Sequence, residues 1–344
     1  MDRSYTRGWQ IVAEARLRQS SIWRAKGRRI SAILRRRLKL PRIAITACAL
    51  SSAIPIRAAR PASFSPASLL HAIHLYGAAA VTAFGWGVCG LLDWDAAPWA
   101  PLWFCGALLI YNADRLRHDP ADTLNVPERE CAAGRFRAAS AFTTAAAAVV
   151  LVATPIVRGD WITLALVVLG AVVCLNYSVP AFGFRLKDVP VLKTFVAPTI
   201  VAAAVLVLPW IHEGPPANRV LFAVVAVRAW GLLLFNMILC DLRDVEGDLR
   251  TGVTSLPGAL GWRGTRRVLA GLLVTLESLA FIIVARLPDS HPLAWRILCL
   301  IGPLYLGWLI IAARVRRSER FYEWWVEGMF FLPAIAVAVE AALD

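Results

Sequence analysis

The sequence predicts an all-α membrane protein of nine transmembrane helices with two Asp-rich loops on one side. Three observations carry this. Apolar runs of about 20 residues recur from residue 69 to the end of a 344-residue chain that is 58% hydrophobic, and a helix of about 20 apolar residues crosses a bilayer. The runs are continuous rather than alternating with period two, which argues against a membrane β-barrel. The basic residues between them fall mainly in every second connection, the pattern of positive-inside topology.

Residues 1–67 come first and read as a basic N-terminal extension, poorly ordered or lying on the membrane surface. Residues 1–60 hold 15 Lys and Arg against Asp2 and Glu14 and so carry almost all of the chain's net charge of +14. The basicity is local and is no argument for nucleic-acid binding. Residues 43–54, behind Arg35, Arg36 and Arg37, form a short apolar run. It is too short to span and resembles a signal-peptide core. A targeting peptide and an upstream start-codon artefact therefore remain open readings.

The transmembrane domain covers 68–344. Its expected spans are 69–92, 97–113, 138–157, 161–178, 191–211, 220–240, 266–286, 294–313 and 323–342. Segments 114–137, 179–190, 241–267 and 314–322 hold most of the remaining Lys and Arg, while the opposite connections are short and hold Arg158, Arg219 and Arg286. The N-terminus and both acidic stretches are thus expected in the cytoplasm, with the protein in a bacterial inner membrane. The seven cysteines show no CxxC pair and lie mostly in apolar runs, so they read as small buried hydrophobes, with no disulfide framework and no zinc.

Two acidic stretches stand out. Asp241, Asp244 and Asp248 directly follow the sixth run. On a continuing helix, at about 100° per residue, they fall within about 60° of one another. Like charges on one stripe repel and are costly beside hydrocarbon, so a cation is expected on them. Oxygen-only ligands at a membrane boundary point to Mg²⁺ with a substrate phosphate. The second stretch, Asp114, Asp119 and Asp122 with Asn112 and Arg115, follows the second span. Asp119 would lie about 140° from Asp114 on a helix, and Pro120 disfavours one, so these carboxylates must converge through a loop. Between the stretches lie Tyr177, Arg185, Lys187 and Lys193. Tyr at a span end is commonly an interfacial anchor; the basic residues have the chemistry to pair with phosphate oxygens.

Asp241-Leu-Arg-Asp244-Val-Glu-Gly-Asp248, followed by Gly252 and by Ser255-Leu-Pro257 through Leu260-Gly261, resembles the second motif of the UbiA-type membrane prenyltransferases. Tyr177-Ser178-Val-Pro180 with its downstream basic residues is similar to that family's Tyr-containing loop. The resemblance covers roughly 69–344. The first motif departs from the family pattern: aligning its Asp-Arg on Asp114-Arg115 puts Ile110, Tyr111 and His118 where acids or Asn stand in the family. Asn125, Arg129 and Arg135 lie where the family has an Asn/Arg-rich stretch, at altered spacing.

The resemblance implies helices around a central cavity and transfer of a prenyl group from an allylic diphosphate to a lipophilic, often aromatic, acceptor. It implies Asp114, Asp119, Asp122, Asp241, Asp244 and Asp248 as Mg²⁺ ligands, with Asp114, Asp241, Asp244 and Lys187 in catalysis. It further implies Asn112, Arg115, Tyr177, Arg185, Arg250 and Glu327 in substrate binding, Glu327 towards the acceptor. The expected partners are the prenyl diphosphate, the acceptor and the bilayer, with no nucleic acid and no obligatory protein. The alternative function is a non-catalytic protein that binds a lipid diphosphate, or a transporter with an acidic site at the membrane boundary.

Overall fold

The structure is a computed structural model of the chain. It describes residues 66–116, 125, 134–178, 186, 189, 191–216, 218–251, 253–286, 291–314 and 318–343, all within one compact unit, Ala59–Asp344. Apart from residues 66 and 67, the expected N-terminal extension lies outside them.

Every regular element among the described residues is helical. The first expected span, 69–92, is divided into α1 (Pro66–Ala72) and α2 (Leu75–Gly90). His74 between them takes a left-handed backbone, φ 57°, which a right-handed helix cannot include. Then come α3 (Ala100–Arg115), α4 (Arg137–Arg158), α5 (Trp161–Ser178), α6 (Leu192–Glu213) and α7 (Arg219–Thr251). They are followed by α8 (Leu256–Arg286), α9 (Pro292–Ala312) and α10 (Phe321–Leu343). Helix α4 ends where Gly159 adopts φ 68°, and Gly261 at φ 67° interrupts α8; both conformations suit a residue without a Cβ. Helix α10 opens with a π-helical turn, Phe321–Val326, passes through a 3₁₀ turn, Glu327–Phe330, and continues as α-helix. Among the described residues, α4, α6, α7, α8, α9 and α10 are long and apolar enough to cross a membrane, whereas α2, α3 and α5 are apolar but shorter.

Each helix from α2 onward packs on the next in the chain, and α10 packs back on α2, closing a ring. The bundle is held by close approach of small residues, the usual means where lipid gives no hydrophobic drive between helices. At the closure, a Cβ on Gly87 would fall closer than 3.0 Å to Pro333 and Ala334 of α10, and one on Gly85 would enter the Trp103 ring of α3. A Cβ on Gly106 would meet nothing within 4 Å. Gly87→Leu is therefore expected to force α2 from α10 and cost about 1–3 kcal/mol. Gly106→Ala is expected to be neutral or slightly stabilising. Thermal unfolding of the two variants in detergent checks this contrast.

Candidate active site

Helix α7 does not stop where its apolar run ends. It continues through the acidic stretch to Thr251 and carries Asp241, Asp244 and Asp248 on its last turns. Asp241 and Asp248 are buried, at 1% and 4% exposure. A buried carboxylate needs a counter-charge and hydrogen bonds, and the start of α6 supplies both. The Lys193 ammonium lies 2.6 Å from Asp248 Oδ2 and 3.3 Å from Asp241 Oδ1. Thr194 Oγ1 donates to Asp241 Oδ2 at 2.5 Å. Asp244 is held by the next residue back, Arg243, whose Nε and Nη2 donate to its two oxygens at 2.8 and 3.0 Å. The Arg243 guanidinium also stands 5.5 Å over the Tyr322 ring of α10.

The backbone is arranged to deliver Lys193. Val191 has φ 66°, a left-handed conformation that a β-branched side chain rarely adopts and that costs on the order of 1–3 kcal/mol. Its N–H donates to Thr254 O at 2.8 Å, and Leu256 N–H donates to Thr194 Oγ1 at 3.3 Å. The entry to α6 is thereby tied to the segment joining α7 to α8.

The segment between α3 and α4 reaches the same place through Asn125. Its Oδ1 accepts the Gly247 N–H at 2.7 Å, and Gly247 has no room for a side chain because a Cβ there would overlap the Asn125 amide. Asn125 Nδ2 is buried and makes no hydrogen bond among the described residues. An unspent buried donor beside the stripe is a ready partner for a ligand oxygen.

The other expected site residues are distributed as follows. Tyr177 is half-buried at the end of α5. Arg250 is exposed on the last turn of α7. Asn112 is buried and its amide donates to Ile73 O at 3.3 Å and Thr143 Oγ1 at 3.2 Å, joining α3 to the α1–α2 corner and to α4. Glu327 of α10 faces α2 and α3: a Cβ on Gly77 would lie 3.1 Å from its Oε2 and 3.4 Å from Tyr111. Asp114 and Arg115 lie on the last turn of α3, with side chains outside the described set; Asp119, Asp122, Arg185 and Lys187 fall outside it altogether. Among the described residues, no group of three or more His, Cys, Asp or Glu side chains is arranged to hold a metal ion. The direct pairing of Lys193 and Thr194 with the stripe was not foreseen. Its one signal in the sequence is scarcity: Lys187 and Lys193 are the only lysines beyond residue 39.

The model of the UbiA prenyltransferase family matches residues 117–332, a stretch containing the stripe, Asn125 and Lys193. The chain belongs to the UbiA prenyltransferase family. With its apolar helices, this makes it an integral membrane protein. No curated protein matches the chain. Among solved structures, it is similar to a UbiA homologue from Archaeoglobus fulgidus bound to GPP and Mg²⁺. The identity is 17% and the TM-score 0.48, over 80% of this chain and 98% of that one. It is also similar to a digeranylgeranylglyceryl phosphate synthase, at 14% identity and TM-score 0.47, over 80% and 97%.

Removing one partner of a buried ion pair strands the other charge, at a cost of about 3–5 kcal/mol. Lys193→Met is expected to lower stability by that order, and Asp248→Asn added to it to restore part of the loss. Arg250→Met, on an exposed turn, is expected to stay within about 0.5 kcal/mol of the parent protein. Thermal unfolding in one detergent reads all three.

Proposed function

We propose that this member of the UbiA family transfers a prenyl group from an allylic prenyl diphosphate to a lipophilic acceptor, through nine spans with both acidic loops in the cytoplasm. The observation that carries this reading is the buried stripe of α7, closed by a lysine and flanked by the unspent amide donor of Asn125. Carboxylates and cationic donors side by side at the end of a membrane helix suit a metal-borne diphosphate better than either charge alone. The oxygen-only donor set of Asp241, Asp244 and Asp248, with Asp114, Asp119 and Asp122, fits Mg²⁺, which when bound supplies positive charge to a departing diphosphate.

The chain's own residues do the rest. Lys193, on a flexible four-carbon stem, turns from the carboxylates to phosphate oxygens, alongside Arg185 and Lys187. The Asn125 amide gives a further donor, and Tyr177 orients the phosphate from the end of α5. Arg243 holds Asp244 in place, and Arg115, Arg250 and Asn112 are assigned to substrate binding. The C–O bond breaks with its electron pair going to the diphosphate, leaving an allyl cation. The acceptor, held on the α10 side by Glu327, contributes the pair for the new bond and passes its proton to the released diphosphate. Donors brought to the leaving oxygen stabilise the charge that grows there, and the apolar bundle keeps water from the cation.

One observation favours a second reading, binding of a lipid diphosphate without turnover: Lys193 and Arg243 already offset two of the stripe's three charges. Labelled farnesyl or geranylgeranyl diphosphate, Mg²⁺ and an acceptor distinguish the two. Release of diphosphate by the parent protein, reduced about 100-fold or more in Asp241→Asn and Asp244→Asn, is the expected result. Release unaffected by both substitutions overturns this placement of the site, and binding without release supports the second reading.

A further inference from the structure

Two adjoining grooves lie on the outer side of α9 and α10. One, of about 560 Å³, is lined by Tyr76, Ser318, Arg320, Phe321, Trp324 and Trp325. The other, of about 420 Å³, is lined by Ile301, Leu304, Tyr305, Trp308 and Trp325. Trp325 lines both, so the two adjoin at its side chain, and together they run as a path from polar groups to apolar ones.

The walls are built rather than accidental. The π-helical turn at Phe321–Val326 displaces the backbone, and π-turns in helices are frequently placed at functional sites. Tyr76 O–H donates to Trp324 O at 3.0 Å and Tyr305 O–H donates to Trp325 O at 2.6 Å, fixing both indoles' backbone. The Trp308 and Trp325 rings meet edge to face at 5.3 Å. The floor faces outward, with Leu304 at 69% and Ile301 at 43% exposure, and from Trp308 to Ile301 it runs about 10 Å along α9. The polar mouth sits at the end of the bundle that carries the aspartates, since Tyr322 packs on Arg243. At that mouth Arg320 is exposed and makes no ion pair among the described residues.

We propose that this path holds one anionic phospholipid, its phosphate on Arg320 and Ser318 and an acyl chain along Tyr305, Trp308 and Leu304. A free guanidinium beside a hydroxyl recognises a single phosphate. The outward-facing apolar floor suits a hydrocarbon chain drawn from the bilayer, and the Arg320 cation at the mouth, unpaired among the described residues, favours an anionic over a zwitterionic headgroup. A prenyl diphosphate fits less well here, because the described lining has a single cation and no carboxylate pair to share a metal. The inference does not rest on the prenyl-transfer reading.

The test uses the full chain in detergent doped with phosphatidylglycerol or with phosphatidylcholine of the same acyl chains, read by native mass spectrometry and thermal unfolding. Phosphatidylglycerol is expected to remain bound and to raise Tm by about 3 °C or more, with a smaller rise from phosphatidylcholine. Arg320→Gln is expected to abolish that preference while leaving Tm in plain detergent unchanged. Leu304→Trp, which fills the apolar end, is expected to reduce binding of both lipids. Equal response to the two lipids, or a full phosphatidylglycerol response in Arg320→Gln, overturns the proposal. So does displacement of the bound lipid by farnesyl diphosphate together with loss of farnesyl diphosphate binding in Arg320→Gln, which would make the groove a substrate site.

Discussion

The burial of α7's carboxylates against Lys193 is the constraint from which the local architecture follows. Three acids on one face of a membrane helix cannot be left in a dry protein without counter-charge. The chain answers with a lysine at the start of the preceding helix, a threonine hydroxyl and an adjacent arginine. Bringing Lys193 there requires α6 to begin immediately beside the stripe. That in turn requires the left-handed Val191 and the cross-links from Val191 to Thr254 and from Thr194 to Leu256. The strain at Val191 is tolerated because these contacts leave the backbone no other route.

Much of this architecture can be read from residues alone, but unevenly. The helical class follows from continuous apolar runs, and the shared face of Asp241, Asp244 and Asp248 follows from helical period, because α7 continues without a break. Local backbone events escape such reading. Nothing in the apolar pattern around residues 69–92 marks His74 as the corner between α1 and α2, and hydropathy stops at the charges where α7 and α8 in fact continue. The Lys193 contact joins residues 55 and 48 positions apart in the chain, and pairing over such a separation leaves no periodic trace. The Asn125 contact, across 122 positions, was legible only as membership of an Asn/Arg-rich stretch in a family, not as a bond to Gly247.

Helix α7 is anchored on two faces. Arg228 stands 13 residues before Asp241, about 140° around the helix from it at 100° per residue. It points away from the stripe, into the wedge between α8 and α9. There its guanidinium donates to Leu276 O and, at 3.4 Å, to Glu277 Oε1, and lies 5.9 Å over the Trp295 ring. Gly302 of α9 leaves the space, since a Cβ on it would come within 3.0 Å of Glu277. A guanidinium within a membrane helix is costly unless paired, so this pair resists both rotation of α7 and movement along its axis.

The two anchors differ in kind, and the difference has a consequence for the stripe. Arg228 is a planar donor packed between an aromatic ring, a carbonyl and a carboxylate, an arrangement that loses several contacts at once if it moves. Lys193 is a point charge on a flexible stem at the helix end, able to exchange one oxygen partner for another without displacing the backbone. The rigid anchor lies away from the aspartates and the exchangeable one lies on them. The carboxylates can therefore give up their internal cation for an incoming one while the helix that carries them stays fixed by its opposite face.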